Sequence, residues 1–189
     1  MSEMVIQVTS LGKRIKGKTI LEDISFEINQ GDCVALIGPN GAGKTVLMSC
    51  ILGDKKPSSG QVLIEGKASK AKNQIAVLLQ ENTIPNSLKV SELIAFFQAI
   101  SDNPLTNQEV QELLQFKEDQ YQQFADKLSG GQRRLLAFVL CLIDKPKILF
   151  LDEPTAGMDT STRQRFWEIV NDLKKLGQPS SILPTILKK

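Results

Sequence analysis

Gly38-Pro39-Asn40-Gly41-Ala42-Gly43-Lys44-Thr45 combines three glycines with a lysine and a hydroxyl at a spacing that suits one task, the holding of a polyphosphate. The glycines free the backbone to turn successive N–H groups inward around phosphate oxygens. Lys44 supplies a compact charge for the β- and γ-phosphates, and the Thr45 hydroxyl suits a Mg²⁺ ligand. Further along, Ile148 to Pro154 reads as an apolar strand ended by two adjacent carboxylates. Asp152 is a candidate for the Mg²⁺ shell and Glu153 for polarising an attacking water. A third stretch, Leu128-Ser129-Gly130-Gly131-Gln132, offers a hydroxyl, bare N–H groups and a helix start, hence a second anion site. Its plainer reading is an ordinary capped helix. The first two stretches together describe Mg²⁺-dependent hydrolysis of a nucleoside triphosphate. A chain with one complete phosphate loop gains from a second anion site if that site serves the phosphate held by another copy.

These residues need elements to position them. Cys33 to Ile37 is an apolar run that predicts a buried strand feeding the loop, and Val46 to Leu52 an apolar helix leaving it, with its positive end toward the phosphates. Ahead of the loop, Val5 to Leu11 and Thr19 to Ile28 read as strands on either side of a turn over Gly12 to Lys18. After it come a turn at Pro57 to Gly60 and strands at Gln61 to Glu65 and Gln74 to Leu79, the last delivering Gln80. From about Asn82 to Leu128 the chain turns polar, glutamine-rich and helical in period. Val90 to Ile100 is one predicted helix; Thr106 to Phe116, with Thr106 and Glu109 spaced as a capping box, is another. A helix over Gly130 to Ile143, a strand over Lys147 to Leu151 and an amphipathic helix over Ser161 to Leu176 complete the pattern. The expected class is α/β: a P-loop NTPase core with an N-terminal antiparallel β subdomain and an inserted helical subdomain. The expected divisions are 1–81 for the β subdomain and the phosphate-loop part of the core, 82–128 for the helical lobe, 129–177 for the rest of the core, and 178–189 for an aberrant tail.

The totals narrow the function classes. A net charge of +2 from 23 basic and 21 acidic residues gives no reason to expect nucleic acid. The absence of histidine removes imidazole catalysis and most zinc sites. Cys33, Cys50 and Cys141 all lie in apolar segments and read as core residues of a reducing compartment. The start resembles no signal peptide, and the longest apolar run, Leu135 to Ile143, is far short of a membrane span. The expectation is a cytoplasmic protein, peripheral on a membrane only through a partner.

From about Val5 to Gly177 the motifs and their order resemble the ATP-binding cassette of ABC transporters. The resemblance implies that Gly38 to Thr45, with Val46 behind it, is the Walker A loop, that Leu128 to Gln132 is the signature, that Asp152 and Glu153 are the Walker B pair, and that Ala156 to Asp159 is the D-loop. It further implies a head-to-tail pair of cassettes, with Ser129, Gly130, Gly131, Gln132 and Asp159 serving the nucleotide at the shared interface. Gln80 would touch the γ-phosphate and Mg²⁺ and link them to transport, as a third catalytic group beside Glu153 and Lys44. The Gln80 segment and the helical lobe would meet separate multi-span membrane subunits. The wording Thr155-Ala156-Gly157-Met158-Asp159 and the short lobe resemble export cassettes more than import ones. A non-transport ABC ATPase and a non-catalytic ATP-binding remnant are the alternatives.

Two departures stand out. Ile15 occupies the position where the family stacks an aromatic ring on adenine. After Gln178 the chain reads PSSILPTILKK, without the strand and switch histidine that the family carries, and Pro179 and Pro184 suit neither a central strand nor a helix. A change of frame by one base after Gln178 allows the string TIIYSSHYIEE, a β-rich run with a histidine. A frameshift and a divergent or disordered tail are the two accounts of this end, and either way the expectation is retained ATP binding with impaired hydrolysis.

Overall fold

β-branched residues on both sides of Lys16-Gly17 build a long hairpin, β1 (Met4–Ile15) and β2 (Lys18–Asn29), paired antiparallel from Met4↔Asn29 to Ile15↔Lys18. The structure is a computed structural model that describes residues 4–32, 34, 36–39, 41–67, 75–79, 84–85, 87–175 and 181–186. The turn expected over Gly12 to Lys18 is confined to Lys16 and Gly17, at φ 48° and 80°. Two left-handed residues match the twist of the flanking strands, so pairing runs to the tip and Gly12 stays in β1.

β3 (Leu36–Ile37) precedes the phosphate loop and α1 (Lys44–Ile51) follows it. β4 (Ser59–Ile64) joins the free edge of β1, giving a sheet of order β2-β1-β4. The second sheet is parallel. It contains β3, β5 (Ile75–Leu78), β6 (Ile148–Asp152) and β7 (Ser181–Ile186) in the order β3-β7-β6-β5. β7 corrects the expectation for the tail. Ser181–Ile186 is a strand, and a central one, with Pro184 opposite Leu151. Proline lacks one donor and so favours sheet edges, but a slot bordered by two strands offers partners on both sides, and one missing N–H does not outweigh the rest. Pro179 lies outside the described residues.

The helical lobe holds α2 (Val90–Ala99), α3 (Asn107–Leu114) and a short α4 (Glu118–Gln122); α5 (Gly130–Leu142) and α6 (Thr160–Lys175) belong to the core. Thr106 caps α3 as expected: its Oγ1 accepts from the Glu109 N–H at 3.2 Å, and the Glu109 carboxylate accepts from the Thr106 N–H at 2.6 Å. Gln115, at φ 51°, ends α3 earlier than the periodicity suggests and separates it from α4. β6 lies between two apolar clusters. Leu149 and Leu151 face one, with Leu93, Val110, Phe138 and Phe166; Ile148 and Phe150 face the other, with Ile6, Leu11, Ile28 and Met48. Alternation sends successive side chains to opposite faces, and a parallel strand covered on both faces is apolar throughout. Its carboxylates come only where it leaves the core.

Candidate nucleotide site

Parallel strands bring their C-terminal ends to one edge, where an open α/β sheet binds its ligand. Ile37 pairs with Ile186 of β7, and Asp152 pairs with the adjacent Thr185. The start of the phosphate loop and the first carboxylate therefore stand two strand spacings apart, about 10 Å. Leu78 pairs with Leu151, so β5 ends at the same edge, just ahead of Leu79 and Gln80. Gln80 and Asn40 themselves lie outside the described residues.

The loop is built for an anion. Gly41 and Gly43 have φ of 82° and 89°. Gly43 also has no room for a side chain: an added Cβ would stand 2.9 Å from Leu21 Cδ2 and 3.2 Å from the Ile20 carbonyl oxygen. Because Gly43 is the N-cap of α1 and supplies no side-chain cap, the first N–H groups of the helix remain for an external acceptor. Lys44 Nζ donates to the carbonyls of Gly38 and Pro39 at 2.8 and 3.0 Å, which holds its charge across the loop. Thr45 is exposed and Val46 half-buried, while Pro39 and Ala42 are exposed loop positions. The hairpin that backs Gly43 also carries Ile15, half-buried at its tip opposite Lys18.

Among the described residues no group of three or more His, Cys, Asp or Glu side chains could hold a metal alone. The donors present are one hydroxyl, Thr45, and the Asp152 carboxylate at the same sheet edge. That set fits Mg²⁺, which keeps its waters and takes phosphate oxygens as further ligands.

Ser129 forms a capping box at the start of α5. Its Oγ accepts from the Gln132 N–H at 3.2 Å, and Gln132 Oε1 accepts from the Ser129 N–H at 3.1 Å. The plainer reading of this motif is thus realised. Gly130 is exposed with open space where a side chain would be, and Gly131 is buried: an added Cβ would stand 3.2 Å from Asp159 Oδ2 and 3.4 Å from Met158 Cα. Asp159 caps α6, accepting from the Thr162 N–H at 2.9 Å and from the Ser161 and Thr162 hydroxyls at 2.7 and 2.9 Å. These bonds, the Thr162 N–H first, hold its carboxyl well below the usual range. Gly131 is thus packed against Met158 and Asp159 within one chain.

Sequence reasoning missed Arg134, which is buried at 8% exposure. Its guanidinium donates from Nε to the Pro154 carbonyl at 3.2 Å, from Nη2 to those of Asp152 at 2.7 Å and Glu153 at 3.3 Å, and from Nη1 to that of Leu79. Burial lowers its pKa, and the nearby Asp152 and Glu153 charges oppose that. An arginine at the head of the apolar run Leu135 to Leu142 was the available signal, since a charge on a buried face needs partners.

Residues 21–156 match the family described as ABC transporter. The chain is 32% identical over 188 residues to a Nod factor export ATP-binding protein I of Sinorhizobium fredii, covering 94% of this chain and 54% of that protein. It is 31% identical over 190 residues to a spermidine/putrescine import ATP-binding protein PotA of Mycoplasma mycoides, covering 96% and 53%. It is 34% identical over 167 residues to the high-affinity branched-chain amino acid transport ATP-binding protein BraG of Pseudomonas aeruginosa, covering 83% and 72%. The chain thus spans about half the length of the first two. Among solved structures, cbiO1 of Clostridium perfringens superposes with a TM-score of 0.81 at 24% identity, over 98% of this chain and 79% of that one, a likeness of fold. With a family match over most of its length and a relative at 34% identity of which it covers 72%, the chain belongs to the ABC transporter family.

Proposed function

We propose that this chain is the ATP-binding and ATP-hydrolysing subunit of an ABC transporter, acting in a head-to-tail pair of cassettes and energising separate multi-span membrane subunits. The observation that carries the reading is the meeting, at one edge of the parallel sheet, of the Gly38 to Thr45 loop and the Asp152-Glu153 pair. On this reading the loop N–H groups and Lys44 hold the phosphates, Thr45 and Asp152 hold Mg²⁺, and Glu153 takes a proton from the attacking water. When bound, the metal neutralises charge on the β- and γ-phosphates. The exposed N-terminus of α5, with Ser129, Gly130 and Gln132, faces the nucleotide of the second cassette. Asp159 acts there through its packing on Gly131, its carboxylate being engaged with α6.

Support for a membrane partner comes from apolar side chains left at the surface. Leu79, Phe96, Ile100 and Phe124 are exposed large hydrophobics, the first beside Gln80 and the others in the helical lobe. Among the described residues no helix is long and apolar enough to cross a membrane. Exposed apolar surface marks an interaction site where it is contiguous, and the Gln80 segment and the lobe are where the membrane subunits are expected. The relatives' names include both export and import.

Turnover is expected to be low. The chain has no histidine to contact the γ-phosphate, and loss of one positioned polar or acid–base group costs about 10²–10⁴-fold. In the register, position 185 stands between Leu36 and Asp152, at the edge where the family's histidine would act. The test is size-exclusion chromatography of Glu153→Gln with Mg²⁺ and ATP. A nucleotide-dependent dimer is expected; a protein that stays monomeric at every ATP concentration refutes the paired-cassette reading.

A further inference from the structure

Most buried arginines are matched by a carboxylate, because an unpaired buried charge is expensive. Arg134, with the Asp152 and Glu153 charges nearby, also donates to backbone. Its three guanidinium nitrogens donate to the carbonyls of Leu79, Asp152, Glu153 and Pro154. These carbonyls belong to two segments far apart in sequence, the exit of β5 just ahead of Gln80 and the turn that follows β6. The donor sits one turn into α5, whose first residues are Gly130 and Gly131.

The turn after β6 needs such a hold. Glu153 has φ 45°, in the left-handed region, which residues other than glycine adopt at a conformational cost. Nothing in the local sequence favours that backbone, since glycine or asparagine would be the ordinary choice. Hydrogen bonds to the carbonyl of Glu153 and to those on either side fix the peptide planes of the turn, and with them the direction in which the Glu153 side chain leaves the sheet edge. The bond to Leu79 ties the end of β5 to the same guanidinium. Arginine suits this role because its planar fork presents donors at set angles to several acceptors, which an ammonium on a flexible stem does not.

We propose that Arg134 is a positioning residue for hydrolysis: it holds the Glu153 turn and the approach to Gln80 in one rigid unit with the N-terminus of α5. The inference rests on the ATPase reading for its catalytic consequence, and on the geometry alone for the clamp. Its further consequence is that a movement of the α5 N-terminus against a second copy's nucleotide is transmitted by one side chain to the chain's own Glu153.

The test uses Arg134→Lys, which keeps charge and volume but loses the fork, with Arg134→Met as a second variant. Amide hydrogen exchange without nucleotide reads the clamp itself. Exchange at 76–79 and at 152–157 should rise together by about tenfold or more in Arg134→Lys, with 41–45 unchanged. No rise, or a rise in only one of the two segments, overturns the clamp. Turnover reads the catalytic role: kcat should fall about 10–100-fold, the cost of a misplacement near 1 Å, while the Kd for ATP stays within about threefold. Unchanged kcat, or a loss of ATP affinity matching the loss of kcat, overturns the positioning role. A parent chain that binds no ATP would refute the ATPase reading separately, and the exchange result would still decide the clamp.

Discussion

Replacing Gly43 with alanine should damage the protein more than the same change at Gly41, although both glycines are left-handed and belong to one loop. At Gly41, φ is 82° and nothing lies within 4 Å of the added Cβ, so the cost is conformational alone, about 1–2 kcal/mol. At Gly43, φ is 89° and the Cβ would stand 2.9 Å from Leu21 Cδ2 and 3.2 Å from the Ile20 carbonyl oxygen. Leu21 can give way by a rotamer change, but the carbonyl is part of the β2 backbone and cannot move without the strand. Overpacking of this kind adds about 1–3 kcal/mol. Against a domain stability of about 5–15 kcal/mol, Gly43→Ala should be visibly destabilised and Gly41→Ala only mildly so. Urea unfolding of the two variants and the parent, followed by circular dichroism, gives the comparison. Equal stability of the two variants, or a less stable Gly41→Ala, would show that the loop does not seat on the hairpin as described.

Other predictions follow from the same geometry. Thr185→His should raise ATP turnover relative to the parent, because it puts an imidazole at the register position flanked by Leu36 and Asp152; an unchanged rate would remove the missing histidine as the cause of slow hydrolysis. Ile15→Tyr should tighten ATP binding by about 1–3 kcal/mol if the base stacks at the hairpin tip, read by isothermal titration. Asp159→Ala should lower Tm at neutral pH by uncapping α6. Because the folded-state pKa of Asp159 is depressed, that contribution is present above the ordinary carboxylate pKa of about 4 and is lost as pH falls below it. The gap in Tm between parent and variant should therefore narrow on acidification, and a gap that widens would contradict the capping role.

Much of this arrangement was legible in the residues because it is local. The phosphate loop needs only its glycines, lysine and flanking apolar runs, and the Thr106 and Ser129 caps need only a partner three residues on. The hairpin strands were visible but their length was not: the turn at Lys16-Gly17 depends on pairing along the whole ladder, which a window over Gly12 to Lys18 cannot weigh. β7 was misjudged because the properties of Pro184 are local while the slot between β3 and β6 is not. Arg134 was missed for a related reason. Its partners at Leu79 and Asp152 to Pro154 come together only after both strands have entered one sheet.

The most direct test of the central claim is equilibrium binding of Mg²⁺·ATP to the parent chain, Lys44→Ala and Glu153→Gln, with steady-state phosphate release measured on the same samples. Parent and Glu153→Gln should bind ATP with similar affinity, Lys44→Ala at least about tenfold more weakly, and whatever turnover the parent shows should vanish in Glu153→Gln. Equal binding by parent and Lys44→Ala, or undiminished phosphate release from Glu153→Gln, would contradict the account.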